Sequence, residues 1–143
     1  MPASPTARAI RNSLPALSIA LFAAALTQPA FYWGDPGDRA PGAVSAFILL
    51  LEGWRGLPAG YLEWLANPLL VATWLAAAFE RRVPSLVGAG VATLLMLVFP
   101  ARGSALVLHS GMTQHLASLG AGYWLWLGSA LTMVVAQLRT TSR

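Results

Sequence analysis

The 143-residue chain has no cysteine and no lysine, and only five acidic residues; charged residues of all kinds make up 10% of it. Without cysteine there is no disulfide, no thiolate metal ligand and no cysteine nucleophile. The charged fraction is far below the roughly one-quarter usual in a soluble domain. No charge falls at the middle of any apolar run. That argues against a proton relay or a charged ion pathway, and counts against the plan of the small multidrug exporters, which need an acidic residue deep in the first helix. A nucleophile–base pairing, a phosphate loop and a dinucleotide fingerprint are missing as well. The chain is therefore expected to be no enzyme, with no catalytic residues, no cofactor and no metal site.

What the sequence does contain is apolar surface. It is 57% hydrophobic, with a mean hydropathy of +0.62. Four stretches dominate it: Leu14–Trp33, Tyr61–Phe79, Ser85–Phe99 and Ala117–Leu138. At ~1.5 Å per residue, about twenty helical residues reach about 30 Å, the thickness of a bilayer's hydrocarbon core. The expectation is an all-α integral membrane protein, a four-transmembrane-helix bundle with spans near 14–33, 61–80, 85–99 and 117–138. What remains is two short tails and three loops, so residues 1–143 are expected to form a single membrane domain. The first run extends through Phe31, Tyr32 and Trp33, an aromatic group suited to a membrane interface, and no small-x-small cleavage site follows its apolar centre. An uncleaved first helix is therefore expected rather than a signal peptide.

The net charge of +4 and a pI near 10.7 do not indicate nucleic-acid binding, because the arginines follow the topology and form no continuous patch. Arg8 and Arg11 precede the first span, Arg81 and Arg82 follow the second, and Arg139 and Arg143 follow the fourth. Arg39, Arg55 and Arg102 fall in the other two loops. The positive-inside rule then places both termini in the cytoplasm. Arginine without lysine, in an alanine-rich chain, suggests a bacterial plasma (inner) membrane.

Within the first outer loop, Ala43–Leu51 is too short to span, at about 14 Å if helical. Val44, Phe47, Ile48, Leu51 and Trp54 recur at helical spacing, which predicts a short interfacial helix lying on the membrane or dipping into it. At the second span, Pro68 leaves two readings open. Asn67 caps a helix that starts at Pro68, or a helix from Pro58 to Arg82 kinks there and frees the Trp64 carbonyl. In the kinked helix Glu63 and Asn67 share a face, and with Gln28 they form a candidate polar cluster. Against that stands a Glu63 in the outer interface, solvated or paired with Arg55, beside Tyr61 and Trp64.

Small residues mark candidate close-packing faces: Gly128, Thr132 and Ala136 in the last span, and Ala16, Ala20 and Ala24 in the first. Pro84 is placed to start the third span and Pro100 to end it. Between the last two spans, Ala105–His109 and Met112–Leu116 read as a small hairpin turning at Ser110-Gly111. That register sets His109 opposite Met112 and His115 opposite Leu106, on opposite sides of the ribbon, so the two histidines do not chelate one ion.

Two segments carry a resemblance. Trp64-Leu65-Ala66-Asn67-Pro68-Leu69-Leu70 and Gly122-Tyr123-Trp124-Leu125-Trp126-Leu127 each open a span. They look like the corresponding elements of a group of small uncharacterised four-span bacterial membrane proteins. The resemblance implies the topology and no activity. Two functional classes follow. One is an accessory, assembly or stabilising subunit that packs against another membrane-protein subunit, its outer aromatic belt formed by Trp33, Trp54, Trp64, Trp124 and Trp126. The other is a homo-oligomeric small transporter or channel with an outer polar pocket around Glu63 and Asn67. In both the lipid bilayer is the surrounding partner.

Overall fold

The computed structural model describes residues 5–35, 37, 39–107 and 112–139. It is mostly helical, with a small sheet. The elements run α1 (Pro5–Leu26), β1 (Pro29–Trp33), β2 (Gly42–Ser45), α2 (Ala46–Glu52), 3₁₀ turns at Gly53–Ala59 and Leu62–Leu65, α3 (Ala66–Ala78), α4 (Arg82–Arg102), β3 (Ser104–Val107), β4 (Met112–Leu119) and α5 (Ala121–Arg139). The strands form a four-stranded sheet of order β2-β1-β4-β3 with antiparallel pairing throughout. The all-α expectation is thus corrected. Two helices, α4 and α5, are long and apolar enough to cross a membrane, whereas Ser13–Leu26 and Leu62–Ala78 are shorter apolar helices.

The long helices pack in the order α1, α5, α4, α3. The end of α1, the start of α3, the end of α4 and the start of α5 meet at one end of the bundle, and the strands and α2 cap that end. Arg81, Arg82 and Arg139 lie at the other end, and Arg8 and Arg11 lie in the opening turns of α1. The apolar run Leu14–Trp33 divides because Pro29 drives Gln28 away from helical geometry, while the Thr27 hydroxyl donates to the Ala24 carbonyl at 2.8 Å. Phe31, Tyr32 and Trp33 therefore run as the second strand of the sheet, flanked by Val44, Ala43 and Gly42 on one side and by β4 on the other. The last run divides in the same way, with Ala117–Leu119 in β4 and the helix starting at Ala121. In the third, Pro100 does not end the helix. It sits in the last turn of α4, which closes at Gly103 in the left-handed region, φ 64°.

Neither reading of Pro68 holds. Leu62–Leu65 is a 3₁₀ turn leading into α3, and Pro68 is the third residue of that helix, where its missing N–H would have had no intrahelical partner. The steeper 3₁₀ rise brings Leu62–Ala78 to about 28 Å. The α3–α4 turn closes with the Arg81 N–H on the Ala76 carbonyl at 2.7 Å and the Glu80 N–H on Ala77 at 3.0 Å, with Glu80 left-handed at φ 58°. At the same end Arg82 donates through Nε and Nη2 to the Gln137 carbonyl, 3.3 and 3.1 Å away, and caps the end of α5.

The core combines large apolar side chains, among them Leu70, Met96, Leu127 and Met133, with small and hydroxylated ones, while many large apolar side chains lie outside it. Buried in the bundle are Ser18, Thr73, Ser85 and Ser129 with alanines at 25, 66, 89, 92, 130 and 136, while Leu75, Phe79, Val83, Val87, Leu94 and Leu138 are more than half exposed. The buried hydroxyls pair with each other and with backbone. Ser18 Oγ donates to the Ser129 carbonyl at 2.9 Å and accepts from Trp74 Nε1 at 2.9 Å, joining α1, α5 and α3. Ser85 Oγ donates to the Thr73 carbonyl at 3.1 Å. A Cβ on Gly88 would lie 2.5 Å from Thr73 Oγ1, so glycine there is what lets α3 and α4 approach.

The two small-residue rows separate. Gly128 faces Leu21 of α1, Ala136 is buried, and the Thr132 hydroxyl turns back to the Gly128 carbonyl at 2.7 Å. Ala16, Ala20 and Ala24 are all exposed, on the side of α1 away from α5. On α2, Phe47, Ile48 and Leu51 are exposed, as is Trp54 in the following 3₁₀ turn, whereas Val44 belongs to β2 and packs on Phe31.

Candidate functional site

A cavity of about 120 Å³ lies between the cap and the bundle. One wall is α2 and the 3₁₀ segments; the others are the end of α1, β1 and the first turns of α5. Backbone closeness at that corner depends on glycine. A Cβ on Gly122 would lie 2.8 Å from the Pro29 carbonyl oxygen and 3.0 Å from those of Ala25 and Gln28, and Gly120 meets Pro29 more tightly still. The Gly120 N–H donates to the Ala30 carbonyl at 2.8 Å and fixes β1 against the start of α5.

The walls are largely aromatic. Phe31 and Phe99 have centroids 5.2 Å apart, Phe99 and Tyr123 6.1 Å, and Tyr123 and Trp126 6.2 Å. Most polar atoms among them are already engaged. Trp64 Nε1 donates to the Leu50 carbonyl at 3.0 Å, tying the 3₁₀ turn to α2. Tyr123 donates its hydroxyl to the Met96 carbonyl at 3.1 Å. The Tyr61 hydroxyl meets Thr113 Oγ1 at 3.4 Å. Asn67 uses both ends of its amide: Nδ2 donates to the Trp64 carbonyl at 3.1 Å, and Oδ1 accepts from Trp126 Nε1 at 2.9 Å. Asn67 is thus neither a helix cap nor bare.

Glu63 is different. It is 6% exposed, and it lines the cavity. Its Oε1 lies 2.6 Å from Arg102 Nε, close enough for strong charge attraction. The N–H is misdirected, however, and neither carboxylate oxygen accepts a directed hydrogen bond from any described residue. Arg102 spends Nη2 on the Gly60 carbonyl at 2.7 Å, and its guanidinium carbon lies 5.1 Å from the Tyr61 ring centroid. Glu63 is therefore not the solvated interfacial group paired with Arg55; Arg55 sits 3.4 Å from Glu52 instead.

Of the polar cluster expected from sequence, Glu63 and Asn67 share this cavity and Gln28 does not. Gln28 is exposed, and its amide donates to Thr27 Oγ1 at 3.2 Å. Arg102, Tyr61 and Trp126 were missed; the sole local hint was an arginine closing an apolar helix. Trp64 and Trp126 face the cavity and do not form an outward belt, whereas Trp54 and Trp124 are exposed.

The hairpin exists in another register. Ser104 is opposite His115, Leu106 opposite Thr113 and Val107 opposite Met112, and the expected turn at Ser110-Gly111 lies outside the described residues. His109 lies outside the described residues. Among the described residues no three His, Asp or Glu side chains converge as a metal site.

Comparison with protein-family models, curated proteins and solved structures found no match for the chain.

Proposed function

We propose that this chain is an integral membrane protein that works as an accessory or stabilising subunit of a larger membrane complex and carries no catalytic chemistry of its own. The membrane part is supported by the extent of apolar surface on the outside of the bundle. Large exposed Leu, Val and Phe side chains on α3, α4 and α5 would form an apolar patch too extensive for a water-soluble monomer, and α4 and α5 match about 30 Å of hydrocarbon. Small and hydroxylated residues inside are what membrane helices use to pack. In this arrangement the cap faces the outer side, the arginine-bearing end faces the cytoplasm, and α2 rests its exposed aromatic face in the interface.

The observation that carries the subunit role is the exposed alanine row of α1. Bundle packing explains Gly128 and Ala136, whereas Ala16, Ala20 and Ala24 are exposed, and they offer a thin surface for a partner's transmembrane helix. The test is gentle-detergent purification of the tagged protein with native sizing and mass spectrometry, beside the variant Ala16→Leu/Ala20→Leu/Ala24→Leu. The expected result is one stoichiometric membrane partner, lost from the variant while its unfolding temperature is unchanged. A homo-oligomer or lone monomer would overturn the reading.

A transporter or channel is the second reading, because Glu63 and Asn67 do share a cavity. Deeper in the bundle, however, the polar groups of Ser18, Trp74 and Ser129 bond to one another rather than line a path. Uptake into vesicles that collapses with Glu63→Ala would favour this second reading.

A further inference from the structure

We propose that the cap-end cavity is a binding site for a neutral, ring-sized apolar molecule bearing one hydrogen-bond donor, a phenolic or alicyclic hydroxyl, which donates to the Glu63 carboxylate. The inference is independent of whether α1 docks a partner. Size comes first: about 120 Å³ is comparable with the roughly 150 Å³ engineered cavity that accepts benzene. The walls suit a ring, since Phe31, Phe99, Tyr123 and Trp126 offer faces and edges at stacking separations.

Polar accounting then sets the chemistry. Trp64, Asn67, Tyr123 and Trp126 have their polar atoms engaged within the protein. Among the described residues, the buried side-chain oxygens in the wall that accept no hydrogen bond are those of Glu63, an acceptor when ionised. A buried acceptor without a donor is destabilising, so a ligand that supplies one recovers that cost. A ring fills the largely apolar space beside Glu63 in a way that a water cannot. The charge of the donor follows from Arg102: its guanidinium, 2.6 Å from Oε1, already balances the carboxylate. An added ammonium would leave the site with a net positive charge in a low-dielectric setting, so a neutral hydroxyl fits better. A molecule of this kind partitions into lipid and can reach the cavity from the bilayer.

The experiment compares 4-fluorophenol with 4-fluorotoluene, near-isosteres that differ in the donor, by ¹⁹F NMR on the full chain in phosphatidylcholine nanodiscs. Protein-free nanodiscs provide the partitioning reference. The expected result is that 4-fluorophenol binds the wild type roughly tenfold more tightly than 4-fluorotoluene, the worth of one hydrogen bond to a charged acceptor. In Glu63→Leu that preference should vanish while 4-fluorotoluene still binds. Ala46→Leu, which narrows the cavity and leaves Glu63 in place, should weaken both probes. Equal affinity of the two probes for the wild type would overturn the proposal whether or not the variants fold. So would a phenol preference that survives Glu63→Leu, or no bound signal for either probe.

Discussion

The bundle interior and the capped end handle buried polarity in opposite ways. Across the bundle, Ser18, Trp74 and Ser129 close a hydrogen-bonded knot among three helices, with separations of 2.9 Å for both Ser18 bonds. Under the cap, Glu63 is buried as a charge beside Arg102, with no directed bond to either oxygen. Both groups sit away from water. In the first, low dielectric strengthens complete pairing and rigidifies packing; in the second, it raises the cost of an incomplete one. The lesson is that the middle of this molecule is built to be stable and its capped end to receive something.

The contrast breaks most visibly if Glu63 is stranded. Arg102→Ala leaves a buried carboxylate without its counter-charge and should cost about 3 kcal/mol, toward the low end for a broken buried pair because Arg102 is partly solvated. Glu63→Leu should cost less than about 1 kcal/mol, since the freed arginine can turn to solvent. Urea unfolding of both variants in one detergent gives the comparison, and equal losses would mean the pair behaves as a surface ion pair. A smaller effect is expected where the cap meets the bundle. Gly122→Ala sets a Cβ against three backbone carbonyls, which cannot swing aside, and should cost about 2 kcal/mol. Hydrogen exchange should then rise in β1 and β4 first; uniform change across α3 and α4 would show that the corner does not act locally. A smaller effect than that of Gly122→Ala belongs to the knot. Ser18→Ala should cost about 1 kcal/mol and leave probe binding under the cap unaltered. A loss of binding in that variant would show that the two regions are coupled.

Much of the element order was legible. Apolar runs marked the long helices, and Arg81, Arg82 and Arg139 marked the end of the bundle away from the cap. The short helix of the first loop and the final hairpin were also readable, although α2 starts only at Ala46 and the hairpin register was misplaced. The apolar runs misled at their edges. Hydropathy does not distinguish helix from strand, so Phe31–Trp33 and Ala117–Leu119 read as helix ends although the sheet takes them. The sides of α1 were equally opaque, because alanine and leucine surround it and periodicity cannot tell the face against α5 from the one left bare.

What the sequence by itself determined is the set of local outcomes: where helices are long and apolar, where Pro29 breaks the first of them, and where charge is absent. Those depend on neighbours a few residues apart. The tertiary structure alone decided that Arg102 comes to Glu63, that Trp126 bonds Asn67 and that β1 lies between β2 and β4. These partners are distant in the chain, and their meeting depends on how whole helices rotate and pack. In a chain whose helices are apolar on nearly every side, no local pattern encodes that rotation.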